Sequence, residues 1–167
     1  MVAIRSETLR GREVLVRSLG SMEITFTKGK DGRTCRWTAL RPPRTRVPGP
    51  AMAAGGDVPH DLATYVVEAE LGMEHGFWGC VADGATFKTL GRKRTPQGRA
   101  VIARHAADLD AAEARVNDAY FAWRRGEPSP VAGPLDEMLE RWRDLPEGGE
   151  LVVVWPAGSA GDRRRVS

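Results

Sequence analysis

The stretch from Met22 to Arg41 constrains the fold most. "MEITFTK" alternates apolar and polar residues, "GKDG" supplies turn chemistry, and "RTCRWTALR" alternates again through Cys35, Trp37 and Ala39. Successive strand residues point to opposite faces, so each segment carries one apolar face, and the short Gly- and Asp-containing turn joins them as a β-hairpin. A hairpin alone is at best marginally stable in water, so the rest of the chain must cover it.

The segment "RPPRTRVPGPAMAAGGD" carries four prolines and three glycines and is expected to be a long loop rather than further strand. Asp57 then reads as a helix N-cap, with Pro59 in the first turn and Leu62, Tyr65, Val66, Ala69 and Met73 at helical spacing, which predicts a helix to about Gly72. A second, Gly-containing helix is expected within "GFWGCVADGATFKTL". Thr95 and Pro96 cap the strongest helical pattern, whose apolar face holds Ile102, Ala106, Leu109, Val116, Tyr120 and Trp123. At 1.5 Å per residue that helix would span roughly 40 Å.

A further helix opens at Pro134, with Leu135, Met138, Leu139 and Trp142 as its apolar positions, and "ELVVVWP" is a strand whose Val run predicts a central position covered on both faces. The order is β-β-α-α-α-α-β. This is an α+β fold: a small antiparallel sheet, made of the N-terminal hairpin plus the C-terminal strand, packed by about four helices, one of them long. Residues 22–156 form the expected single domain, residues 1–21 a mobile basic arm or an over-called start, and residues 157–167 a disordered basic tail.

With 41% hydrophobic residues in 167, the chain can bury one sizeable core. Its net charge of +3 hides an asymmetry, because residues 1–50 hold eleven Lys or Arg against four acids. Only Lys28, Lys30, Lys88 and Lys93 are lysines among 25 basic residues, and the Ala, Gly and Arg usage suits a high-GC bacterium. The first twenty residues lack an apolar export core, and no run approaches the roughly 18 apolar residues of a membrane span. A soluble, cytoplasmic protein with no membrane partner is expected. Cys35 and Cys80 stand without a CxxC pattern, which suits a reducing compartment more than a disulfide scaffold and leaves open whether the two meet.

The most unusual stretch is "VPHDLATYVVEAELGMEHGFWG". On its helix the positions flanking Asp61, Thr64, Tyr65 and Glu68 are apolar on both sides, so a polar seam runs along a largely buried element. A buried carboxylate costs several kcal/mol unless it is paired or neutralised. His60, Asp61, Thr64 and Glu68 are therefore the candidate acid/base residues. The structural alternative makes Asp61 a first-turn acid and pairs Glu68 with an Arg of the proline-rich loop.

"HDLAT", His60 to Thr64, resembles the HDxxH motif of the zinc-binding coenzyme Q biosynthesis family, with Thr64 where that family has its second His. The zinc site is accordingly not carried over. His60 and Glu68 lie about 12 Å apart along an ideal helix, and HExxH and paired CxxC are absent, so neither a metal nor a cofactor is expected. His75, beside Gly76, and His105, at the edge of an apolar stripe, read as boundary histidines.

No nucleophile elbow and no phosphate-cradling Gly loop is present. Phe77 and Trp78, flanked by glycines, are candidates for stacking on a ligand. Arg33, Arg36, Arg41, Arg44 and Arg46, with Lys28 and Lys30, form a basic hairpin and loop suited to an anionic partner, including nucleic acid bound without sequence preference, for which Trp37 would offer a stacking face. The Ala-rich long helix would allow a homodimer. The function expected is binding of or interaction with an anionic partner through the basic hairpin and loop. The alternative is a small enzyme acting through the seam of residues 58–72.

Overall fold

Period-two alternation produces the strands, and hydrophobic burial assembles them. The computed structural model describes residues 8–9, 12–13, 20–54, 57–87 and 95–156. Most of the expected arm and all of the expected tail lie outside these described residues. Strands β1 (Thr8–Leu9) and β2 (Arg12–Glu13) pair with each other in a separate two-stranded ladder.

The expected hairpin is β3 (Met22–Lys28) and β4 (Thr34–Arg41), antiparallel with Phe26 opposite Trp37. In its turn, Asp31 Oδ1 accepts from the amides of Arg33 and Thr34 and from the Thr34 hydroxyl at 2.9–3.0 Å. These donors favour the ionised form and hold Asp31 below its ordinary carboxylate range.

The proline-rich segment is not the loop its composition predicts. Strands β5 (Thr45–Pro48) and β6 (Met52–Ala53) both run antiparallel to β4, β5 along residues 38–41 and β6 along residues 34–35. Proline is tolerated because this is an edge: Pro48 ends β5, and Pro42, Pro43 and Pro50 fall between strands. Gly49 donates its amide to the Trp37 carbonyl at 2.9 Å, and a Cβ at Gly49 would overlap the indole ring.

Strand β7 (Glu150–Trp155) pairs antiparallel with β3, Met22 opposite Trp155, so the sheet order is β5-β4-β3-β7. The inner strands are β4 and β3. Contrary to the expectation from its Val run, β7 is an outer strand of the described sheet: Leu151, Val153 and Trp155 enter the core while Val152 and Val154 are only half-buried.

Among the described residues there are five helices: α1 (His60–Glu70), α2 (Phe77–Ala82), α3 (Pro96–Arg104), which packs on α4 rather than on the sheet, α4 (Ala106–Arg124) and α5 (Ala132–Asp144). The α+β architecture is as expected, with several boundaries corrected. Pro59, not Asp57, is the N-cap of α1, and Asp57 instead accepts a 2.8 Å hydrogen bond from Arg124. The second helix is shorter than expected because the chain turns at Gly84, whose φ of 115° disfavours a side chain.

Thr95 does cap α3, accepting from the Gly98 amide at 3.0 Å, with Pro96 in the first turn. The single 40 Å helix, however, is two. His105 (φ −108°, ψ 20°) breaks it and leaves the 19-residue α4, about 28 Å long. The ladder continues on both sides, His105 N–H to Val101 and Leu109 N–H to His105, so the redirection is confined to one residue.

The inner sheet face, including Ile24, Phe26, Trp37 and Val153, packs on Leu62, Val67, Trp78, Leu135 and Trp142 of the helices. Each fully buried side chain of this size contributes about 1.5–3 kcal/mol. Helix α1 packs between the sheet, α4 and α5, which is why Leu62, Ala63, Thr64, Val66, Val67 and Glu68 are all buried, although Ala69 is exposed. Tyr65 donates its hydroxyl to the Val154 carbonyl at 2.8 Å, so α1 covers part of the β7 edge.

Lys28 departs from the anion-binding surface expected of it. Its ammonium donates to the carbonyls of Trp142 (3.2 Å) and Leu145 (2.9 Å) at the end of α5. On α4, Ala112 and Val116 are buried while Phe121 is exposed. Cys35 and Cys80 are separate buried thiols, and no described helix is long and apolar enough to cross a membrane.

Candidate functional site

The polar seam of α1 resolves into side chains with different partners. Glu68, 1% exposed, accepts from the amides of Phe77 (2.6 Å) and Trp78 (2.9 Å), so it satisfies the free N–H groups that open α2. No Arg pairs with it among the described residues. Burial pushes its pKa up to about 7, against the two amide bonds, which favour the carboxylate. A Cβ at Gly76 would overlap this carboxylate, so the glycine is what lets Glu68 reach the helix end.

Thr64 is buried and donates its hydroxyl to the His60 carbonyl one turn back. Asp61 accepts from Trp37 Nε1 at 2.7 Å through Oδ2, and its other oxygen lies 3.3 Å from His60 Nδ1. That contact with Asp61 raises the His60 pKa, against the opposing effect of burial. Of the four proposed acid/base residues, only Asp61 faces a cavity that a ligand can enter.

That cavity has a volume of about 390 Å³ and lies between the β4–β5 end of the sheet, the start of α1 and α2. Trp37, Val47, Pro48, Phe77, Val81 and Phe87 make most of its wall, and Arg41, Thr45, Arg46, Asp61, Thr86 and Thr95 interrupt it with polar groups. Phe77 and Phe87 lie 4.6 Å apart between ring centroids, and Trp37 meets Phe77 edge-on at 6.0 Å.

Arg41 stands out electrostatically. It is half-buried, donates from Nη1 to the Val81 carbonyl at 2.8 Å, and has no carboxylate partner among the described residues. Burial lowers its pKa, although a guanidinium stays charged at any physiological pH. The hydroxyl of Thr86, in the same wall, is buried without a hydrogen-bond partner among the described residues.

The expected basic cluster is therefore dispersed. Arg33 is exposed next to the hairpin turn, Arg36 lies on the outer sheet face, and Arg44 is exposed between β4 and β5. Arg46 lies at the cavity rim, but its register opposite Leu40 places it on the outer face; Arg41, opposite Thr45, is on the cavity face. Phe77 lines the cavity as a stacking residue would. Trp78 does not: its ring is fully buried against Phe26 and Trp37, and its Nε1 donates to the Asp61 carbonyl at 3.0 Å.

Sequence reasoning grouped Arg41 with its neighbours and overlooked its face. The signal was the alternation Cys35, Trp37, Ala39, Arg41, which sends Arg41 inward with Trp37. It also overlooked a second convergence, outside this cavity, of His75, Asp83 and His105, the described group with metal-ligand composition and spacing. Comparison with known proteins finds no matching family model, no matching curated protein and no matching solved structure.

Proposed function

We propose that the protein binds a small organic anion with a planar or apolar body in the cavity headed by Arg41. The observation that carries this reading is a half-buried guanidinium, without a carboxylate partner among the described residues, in a mainly apolar wall. Holding a charge in such a place is costly unless an opposite charge joins it, and the planar fork of Arg matches a carboxylate or phosphate bidentately. Phe77, Phe87 and Trp37 supply flat faces for the ligand body, and a volume near 390 Å³ falls within the range of small-molecule sites. Asp61 would then orient a donor group on the ligand.

The dispersal of Arg33, Arg36 and Arg44 favours one small ligand over a nucleic acid strand, which needs a continuous basic track. The enzyme reading is weaker, because Thr64 and Glu68 are occupied in the interior and do not converge with Asp61.

The test is calorimetric titration with aromatic carboxylates such as benzoate and indole-3-acetate, each beside its uncharged amide. Carboxylates are expected to bind at least about tenfold more tightly than amides, since a charge-assisted hydrogen bond contributes roughly 1.5–3 kcal/mol. Arg41→Met should remove that preference while Arg36→Met leaves it intact. Equal affinity for acid and amide, or no binding of either, would overturn the proposal.

A further inference from the structure

Three side chains outside the Arg41 cavity meet where α2 approaches the α3–α4 junction. His75 lies just before α2, Asp83 is its C-cap, and His105 is the residue at which α3 gives way to α4. His75 Nδ1 and His105 Nε2 each stand 3.9 Å from Asp83 Oδ2, and the three ligand atoms lie within 4.8 Å of one another. We propose that His75, Asp83 and His105 bind a divalent transition-metal ion of the zinc class, with Asp108 orienting His105.

Hydrogen bonding does not account for the arrangement. Both N···O distances exceed hydrogen-bond range, and His75 Nδ1 is buried without a partner among the described residues. The spacing instead approaches that of a coordination sphere. Ligand arms of about 2.0–2.1 Å set tetrahedral ligand atoms roughly 3.3 Å apart, so each nitrogen closes on Asp83 by about 0.6 Å and the widest pair by up to about 1.5 Å, a movement within reach of side-chain rotation. The two imidazole rings are stacked, with centroids 4.1 Å apart and planes 14° from parallel, so both nitrogens lie beside Asp83, and the rings tilt toward each other when their in-plane lone pairs converge on one ion.

The surroundings point the same way. His105 offers Nε2 to the site while its Nδ1 lies 3.7 Å from Asp108 Oδ2, beyond hydrogen-bond range but on the side from which a carboxylate would fix tautomer and ring orientation once the ring is drawn to a metal. Asp83 sits at the carbonyl end of α2, where a carboxylate is disfavoured and a cation beside it is favoured. Two imidazoles and one carboxylate suit zinc better than calcium or magnesium, which take oxygen ligands. Cys80 is not a further ligand: its thiol is directed to the His75 carbonyl at 3.5 Å, and burial pushes its pKa up to about 11. His75 and Asp83 are each about half-exposed, so an ion can reach the cluster from solvent.

The chain has only three histidines, which makes the proposal directly testable on full-length, tag-free protein. Zinc chloride is titrated by calorimetry, and the imidazole proton resonances are followed by NMR. One-to-one binding is expected, with shifts or broadening confined to His75 and His105 and absent from His60. Asp83→Asn, checked for folding by circular dichroism, should weaken zinc by at least about tenfold, and Asp108→Asn by about 10- to 100-fold. Absence of one-to-one binding, perturbation of His60 alone, or a folded Asp83→Asn variant with wild-type affinity would each overturn it.

Discussion

Glu68 shows what a single buried acid does to the whole chain. Its carboxyl titrates near pH 7 in the fold, against 4.5 as a free side chain, so the folded state holds this proton more tightly than the unfolded state does. The stability contribution is therefore complete below about pH 4.5, declines as pH rises, and is lost once pH passes about 7, amounting to at most about 3 kcal/mol. Urea unfolding at pH 5 and pH 8 should show a fall for wild type. Glu68→Gln should remove most of that difference while costing about 1–3 kcal/mol at pH 5, because its NH2 group now meets one of the two amides. A pH dependence identical in the two proteins would refute this account. That Glu68 is a misplaced acid was legible in the sequence, since apolar residues flank it on both sides. Its partners were not, because the amides of Phe77 and Trp78 belong to the backbone and have no side-chain signature.

Among the elements, α5 depends on a residue from another part of the chain. Lys28 of β3 holds the terminal carbonyls of this helix, where cations are favoured, and its ammonium lies 5.6 Å from the Trp142 ring centroid. Lys28→Met is expected to lower unfolding free energy by about 1–2 kcal/mol, whereas Lys30→Met, on an exposed turn residue, should stay within about 0.5 kcal/mol of wild type. Equal effects in urea titrations would mean that the cap contributes nothing. The apolar spacing of α5 was readable from Leu135 to Trp142. The break at His105 was not, because Ala, Leu and Arg on either side favour helix and neither Pro nor Gly marks the site. What distinguishes His105 is its stack on His75, 30 positions away, and periodicity carries no information about such a contact. In the proline-rich segment composition misled in the opposite direction, since edge strands tolerate the prolines that central strands exclude.

At the level of the molecule, the pairing of the N-terminal hairpin with the last strand was legible because both carried apolar faces needing the same core. The outer place of β7 was not, because a Val run reports apolarity and leaves open which neighbour supplies the burial. The register that joins them sets Met22 directly beside Trp155. Antiparallel partners lie about 5 Å apart, so the first residue of β3 and the last residue of β7 are neighbours in space although 133 positions separate them in the chain. The order in which the chain visits its elements is thus separable from the arrangement they reach. A circular permutant of residues 22–156, joined from end to start by a few Gly and Ser residues and opened between exposed Glu127 and Pro128, should give the native circular dichroism spectrum and a single cooperative unfolding transition. Loss of that transition would tie the fold to its present starting point. Its retention would make the corner at Met22 and Trp155 a place where the protein can be closed into a ring.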